Sequence, residues 1–81
     1  MLRFKLKERI ADFEFRERRR LPLVEIAEAT GIGRITLSRM LNHSSHVRTD
    51  TLERLCVFFD CRIEDLVELV SEPPRLEINP R

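Results

Sequence analysis

Residues 23–42 read LVEIAEATGIGRITLSRMLN, and the spacing of small and apolar residues in this stretch decides the fold. Pro22 stands just ahead of it, where a helix tolerates proline because its first N–H groups have no intrahelical acceptor. A helix is expected over about Leu23 to Thr30, with Ile26 and Ala27 inward and Val24 marginal. Gly31 stops it, since glycine takes positive φ at no steric cost. Ile32 plugs the turn, Gly33 permits a tight start, and another helix, the third of the chain, is expected from Arg34 to Leu41 or Asn42. Two short helices joined by such a turn cross steeply only when the residues between them are small or apolar. Ala27 allows close approach, and Ile26, Ile32, Leu37 and Met40 supply the apolar contact. With those five inward, the opposite face of the third helix carries Arg34, Ile35, Ser38, Arg39 and Asn42. That face has two guanidinium groups, two hydrogen-bonding side chains and no acid.

On the N-terminal side, Leu2, Phe4 and Leu6 alternate with Arg3 and Lys5, the period of a short strand. From about Lys5 the period becomes helical through Leu6, Ile10 and Phe13, with Glu14 and Arg18 four apart as an ion pair, so a helix is expected to about Arg19. Phe15 falls off that stripe; it either packs sideways against the last helix or sits on a subunit contact. On the C-terminal side, residues 42–48 (NHSSHVR) form a polar loop. Asp50 and Glu53 look like a capping pair opening a helix that turns Leu52, Leu55, Cys56 and Phe59 inward and ends near Phe59 or Asp60. A last short helix is expected near Ile63 to Val70, with Leu66, Val67 and Val70 on one face and Glu64 and Asp65 in the first turn, where the helix dipole favours anions. Pro73-Pro74 ends it. Leu76-Glu77-Ile78 alternates again and can pair with Met1 to Phe4 as a two-stranded ribbon.

Eighty-one residues suit one small domain spanning 1–81. Apolar residues make up 42% of the chain, led by eleven Leu and six Ile, so it can bury a core. With only two Gly, a turn-rich all-β fold is disfavoured. No run approaches the roughly 20 apolar residues of a membrane span, and Met1 to Lys7 builds no apolar leader. A cytoplasmic protein with no membrane partner is expected, its two Cys reduced. The formal charge of +1 conceals an asymmetry: residues 1–48 hold eleven Lys/Arg against six acids, and residues 49–81 hold four against eight. A basic half of this kind can hold a polyanion.

The segment 23–42 resembles the helix-turn-helix of the Cro and phage-repressor (XRE-type) transcription regulators. The resemblance lies in the A-x-x-x-G-I pattern at Ala27, Gly31 and Ile32 and in the T-L-S-R-M-x-N run from Thr36 to Asn42. The stretch from Leu52 to Leu66 is similar to the two closing helices of small members, and the likeness covers about residues 5–70. It implies an all-α, five-helix, lambda-repressor-like domain, here with the short terminal ribbon, with its helix-turn-helix core over 22–42. It also implies a cytoplasmic DNA-binding regulator of repressor type, acting on double-stranded DNA as a homodimer. The third helix would enter the major groove with its N-terminal residues toward base edges. Arg34 and Arg39 would meet guanine or phosphate, Ile35 a thymine methyl, Asn42 a base edge or the backbone, and Ser38 would lie on the same face. Thr36 would face the DNA backbone. His43, Ser44, Ser45, His46 and Arg48 would line the phosphates from the loop, and Arg18, Arg19 and Arg20 would reinforce the start of the second helix. The sequence departs from the family pattern at Leu23, where many members have Gln, at Pro22 in place of a polar cap, and at Leu41 in place of an acid.

Three rival readings can be weighed on the residues. His43, His46, Cys56 and Cys61 lack the spacing of a zinc site, so no metal and no cofactor is expected. Catalysis needs a nucleophile, an oriented base and a pocket, for which a domain this small leaves little interior; neither an enzyme nor a small-molecule substrate is expected. The stronger rival is a protein-binding module, such as an antitoxin or adaptor domain with weak or no DNA binding, in which Phe15, an exposed Phe58 and the acidic C-terminal part would matter most.

Overall fold

Ten apolar side chains are buried among the described residues, and together they determine how the helices meet: Phe4, Leu6, Leu21, Ile26, Ile32, Leu37, Met40, Leu55, Phe59 and Leu66. The computed structural model describes residues 2–42 and 46–70. Its elements are β1 (Leu2–Phe4), α1 (Leu6–Glu17), α2 (Leu23–Thr30), α3 (Arg34–Leu41), α4 (Thr49–Phe59), α5 (Ile63–Leu66) and β2 (Val67–Leu69). The fold is mainly helical with one small antiparallel sheet, as expected from the pattern of periods.

The α2–α3 hinge follows from local chemistry. Gly31 is left-handed, with φ of 79°, and its N–H bonds the Ala27 carbonyl at 2.8 Å. Thr30 adds a clamp: its hydroxyl donates to the Ile26 carbonyl (2.7 Å) and accepts from the Ile32 N–H (3.2 Å). Groups that a helix end and a tight turn would leave unpaired are thereby satisfied. A Cβ added at Gly31 would lie 3.6 Å from Arg54 Nη1, an ordinary contact, so its cost is one of backbone conformation. Gly31→Ala is therefore expected to lower stability by roughly 1–2 kcal/mol, with Gly31→Asn costing less because Asn tolerates this region. Urea unfolding of the two variants checks the order. Gly33 differs: its φ of −66° suits any residue and an added Cβ meets nothing, so the start of α3 does not require glycine.

Several expectations are corrected around the helix ends. α1 stops at Glu17, with Arg18 left-handed at φ 57°. The i,i+4 ion pair is Asp12–Arg16 (2.9 Å), not Glu14–Arg18, because the Glu14 carboxylate accepts the Leu21 N–H at 2.7 Å. That bond satisfies the backbone of a loop residue whose side chain is only 3% exposed. The cap of α4 is Arg48, not Asp50, and the Arg48 carbonyl accepts from Thr51 and Leu52. Asp50 lies in the first turn, paired with Arg48 (3.1 Å) and near Arg54 (3.8 Å). Phe58 is half-buried, stacked on Phe13 at 6.2 Å and edge-on to Phe59 at 4.9 Å, so it is no exposed aromatic. Phe15 is 84% exposed and does not pack against α5.

The last element changes type. α5 ends at Leu66, and Val67–Leu69 is a strand rather than helix, in the register Leu2↔Leu69, Arg3↔Glu68, Phe4↔Val67. The alternation that predicts β1 demands a ladder partner, and Val67-Glu68-Leu69 has the matching period of two: Leu2, Phe4, Val67 and Leu69 share one face and Arg3 and Glu68 the other. The expected partner, residues 76–78, lies outside the described residues. Arg3 Nε binds Glu68 Oε2 at 2.8 Å across the ribbon, with Lys5 3.8 Å from the same carboxylate. The Arg3 guanidinium holds the Glu68 carboxyl below its ordinary range. A lowered folded value stabilises above the unfolded carboxylate pKa, and the contribution is lost as pH falls through the folded value. Thermal unfolding against pH should show a Glu68→Gln deficit at neutral pH that closes in acid.

Candidate nucleic-acid interface

α3 is split by its pattern into two unlike faces. Leu37 and Met40 are 0% exposed and sit in the core, with Leu41 half-buried against it. Arg34, Ser38, Arg39 and Asn42 are exposed, Ile35 is 70% exposed, and Thr36 is half-buried at the edge of that face. Asn42 closes the helix, its N–H shared between the Ser38 and Arg39 carbonyls.

Electrostatics separate the arginines that are free to meet a ligand from those already used. Arg34, Arg39, Arg18 and Arg20 form no ion pair among the described residues. Arg19 is committed: it grips Glu25 through both terminal nitrogens (2.9 and 2.7 Å) and lies 5.1 Å over the Phe13 ring. That pairing lowers the Glu25 carboxyl and raises the Arg19 guanidinium. Arg48 is exposed but bound to Asp50, so its charge is partly neutralised. His46 is exposed. His43, Ser44 and Ser45 lie outside the described residues.

The N-termini of α2 and α3 open into one groove of about 710 Å³, lined by Pro22, Leu23 and Val24 on one side and Gly33, Arg34, Ile35 and Ser38 on the other. Neither Pro22 nor Gly33 supplies a side-chain cap. No side chain of the cap residues takes the first N–H groups of either helix, and a helix start left open in this way favours an anion. Its walls are apolar at Val24, which is 43% exposed, and at Ile35. A second groove, about 430 Å³, lies between the end of α2 and α4; it carries Asp50 and Glu53 against the single Arg54, a balance that does not favour a polyanion.

Reading the sequence missed Thr30, whose hydroxyl holds the hinge in shape, and the apolar wall contributed by Val24. The first was legible as a hydroxyl residue directly before a helix-ending glycine; the second depends on how the two helices face each other. Among the described residues no group of three or more His, Cys, Asp or Glu is placed to hold a metal, and no helix is long and apolar enough to cross a membrane.

A sequence model of the Cro/C1-type HTH DNA-binding domain matches residues 5–72. Neither a curated protein nor a solved structure matches the chain at a significant level.

Proposed function

The chain belongs to the Cro/C1-type HTH DNA-binding domain family, and from that membership we propose that it is a sequence-specific transcriptional regulator. It acts by reversible occupancy of an operator, with no reaction and no cofactor. The observation that carries this reading is the outward face of α3: exposed, cationic, without an acid, and backed by the buried Leu37 and Met40. In the proposed complex that face lies in the major groove. Arg34 and Arg39 contact guanine edges or phosphates, and Ser38 and Asn42 supply further polar contacts. Thr36 faces the DNA backbone. The uncapped start of α2 takes a phosphate on its N–H groups, flanked by Arg18 and Arg20. The side-chain contact absent at Leu23 is replaced by this backbone one. Arg48, His43 and Ser44 are assigned to the phosphates beside the following loop.

A single module of this kind covers only roughly 600–1,000 Å² on DNA, so a homodimer on a pseudo-palindromic operator is proposed. Leu2 and Leu69, paired across the ribbon and 43% and 78% exposed, are the candidate contact between copies. The exposed Phe15 favours one alternative, a protein-binding domain without DNA affinity.

Selection from a random duplex pool at moderate salt tests the assignment. The wild type is expected to enrich a motif, and Arg39→Ala to lose preference at one position of it. Enrichment of no motif by the wild type overturns the regulator reading, and equal enrichment by the variant overturns the role of Arg39.

The apolar wall makes a separate prediction about base identity. If Ile35 covers a thymine methyl, replacing that thymine by deoxyuridine removes one buried carbon. At about 0.8 kcal/mol for such a group, binding weakens about fourfold. Ile35→Ala should abolish the sensitivity to that replacement. Titration of the four protein–duplex combinations reads the coupling.

A further inference from the structure

α4 ends in a turn whose hydrogen bonds bring two cysteines together. Asp60 is left-handed, with φ of 52°; its N–H bonds the Val57 carbonyl at 3.2 Å, and the Cys61 N–H bonds the Cys56 carbonyl at 3.0 Å. This pair of bonds defines a Schellman motif, which an apolar contact near the residues joined by the longer loop frequently accompanies. Here both are cysteine. Standard backbone dimensions place the Cα atoms of residues joined by such a bond within roughly 7 Å, at the upper edge of the ~4.4–6.8 Å window a disulfide spans.

Both thiols are free and half-buried, so neither is sealed from solvent. Burial and the neighbouring Cys56 push the Cys61 thiol up to about 11, with Arg9 opposing and Asp65 adding to the shift. The Cys61 thiol is thus protonated at neutral pH, slow to react and reduced by default.

We propose that Cys56 and Cys61 form a redox modification site that closes reversibly into an intramolecular disulfide, stapling the end of α4 to the segment leading into α5. The oxidant is a low-molecular-weight disulfide such as oxidised glutathione. One protein thiolate attacks it, forming a mixed disulfide and releasing one glutathione. The second protein thiolate then attacks the protein-bound sulfur, forming the Cys56–Cys61 bond and releasing the second glutathione. The protein gives up two protons and two electrons, and the oxidised glutathione is reduced to two thiols. The second step is intramolecular and outruns capture of another glutathione, because the backbone bond of the turn already holds the two residues together.

The site is independent of the DNA-facing surface, so its test does not depend on DNA binding. The full chain, folded in buffer, is incubated with oxidised glutathione, quenched in acid and weighed by mass spectrometry. The expected product has lost two hydrogens and carries no glutathione, while Cys56→Ser and Cys61→Ser each retain one glutathione adduct. Native wild type that accumulates glutathione adducts overturns the proposal. So does closure seen only in urea. Should the single variants fail to fold, the wild-type product and its melting temperature still decide. A rise on oxidation supports closure within the native turn, and a fall shows that closure disrupts it.

Discussion

Arg39→Ala is expected to weaken binding to the preferred operator by roughly 1–3 kcal/mol if the guanidinium reads a guanine, about 5- to 150-fold. Thermal stability should barely change. Arg39 is exposed and has no ion-pair partner among the described residues, so its removal leaves no buried charge uncompensated. It sits in the last turn of α3, where a cation interacts favourably with the helix dipole, and losing that interaction costs no more than about 0.3–1 kcal/mol at an exposed site. Binding measured against salt separates the two roles open to the side chain. A guanine contact lowers affinity for the operator alone and relaxes preference at one position. A phosphate contact lowers affinity for every duplex and reduces the slope of log K against log salt by about one.

Leu37→Ala should have the largest effect on folding. The side chain is 0% exposed on the inner face of α3, among core residues that include Ile26, Ile32, Met40 and Leu55. Truncating a fully buried leucine costs about 2–5 kcal/mol, and small domains commonly hold only about 5–15 kcal/mol in total. The variant is expected to be largely unfolded or to melt well below the wild type, losing DNA binding through loss of the fold. Leu37→Met, which conserves volume, should cost less than about 1.5 kcal/mol. Urea unfolding followed by circular dichroism distinguishes them. A small Leu37→Ala effect would mean that α3 is not anchored as described.

These two residues mark what the sequence makes legible. Leu37 and Arg39 are two positions apart on a helix bounded by glycine and a polar loop, so periodicity alone separates the buried residue from the exposed one. The same reasoning places Ile26, Ile32 and Met40 in the core and positive φ at Gly31. It fails where a tertiary partner decides. Val67 follows Leu66 on a plausible helical face, yet β1 needs a ladder and captures it. Leu21 precedes a proline in an arginine-rich loop, yet it lies in the core, with its N–H bonded to Glu14. Asp50 has the spacing of a cap, but the helix starts one residue before it, and it lies in the first turn beside Arg48 and Arg54.

The candidate interface was legible to a similar depth. The exposed face of α3 follows from its spacing. Which arginines remain available does not: Arg18, Arg19 and Arg20 are equivalent in sequence, and only the geometry shows Arg19 bound to Glu25 and stacked on Phe13.

The claim that α3 occupies the major groove is tested most directly by methylation interference on a selected operator. Dimethyl sulfate places a methyl on guanine N7 in the major groove and on adenine N3 in the minor groove, so partially methylated duplexes separate the two. Guanine N7 methylation is expected to block binding at one or more positions in each half-site, and Arg34→Ala or Arg39→Ala to remove the effect at its own guanine. Interference confined to adenine N3, or binding indifferent to both, would contradict the account.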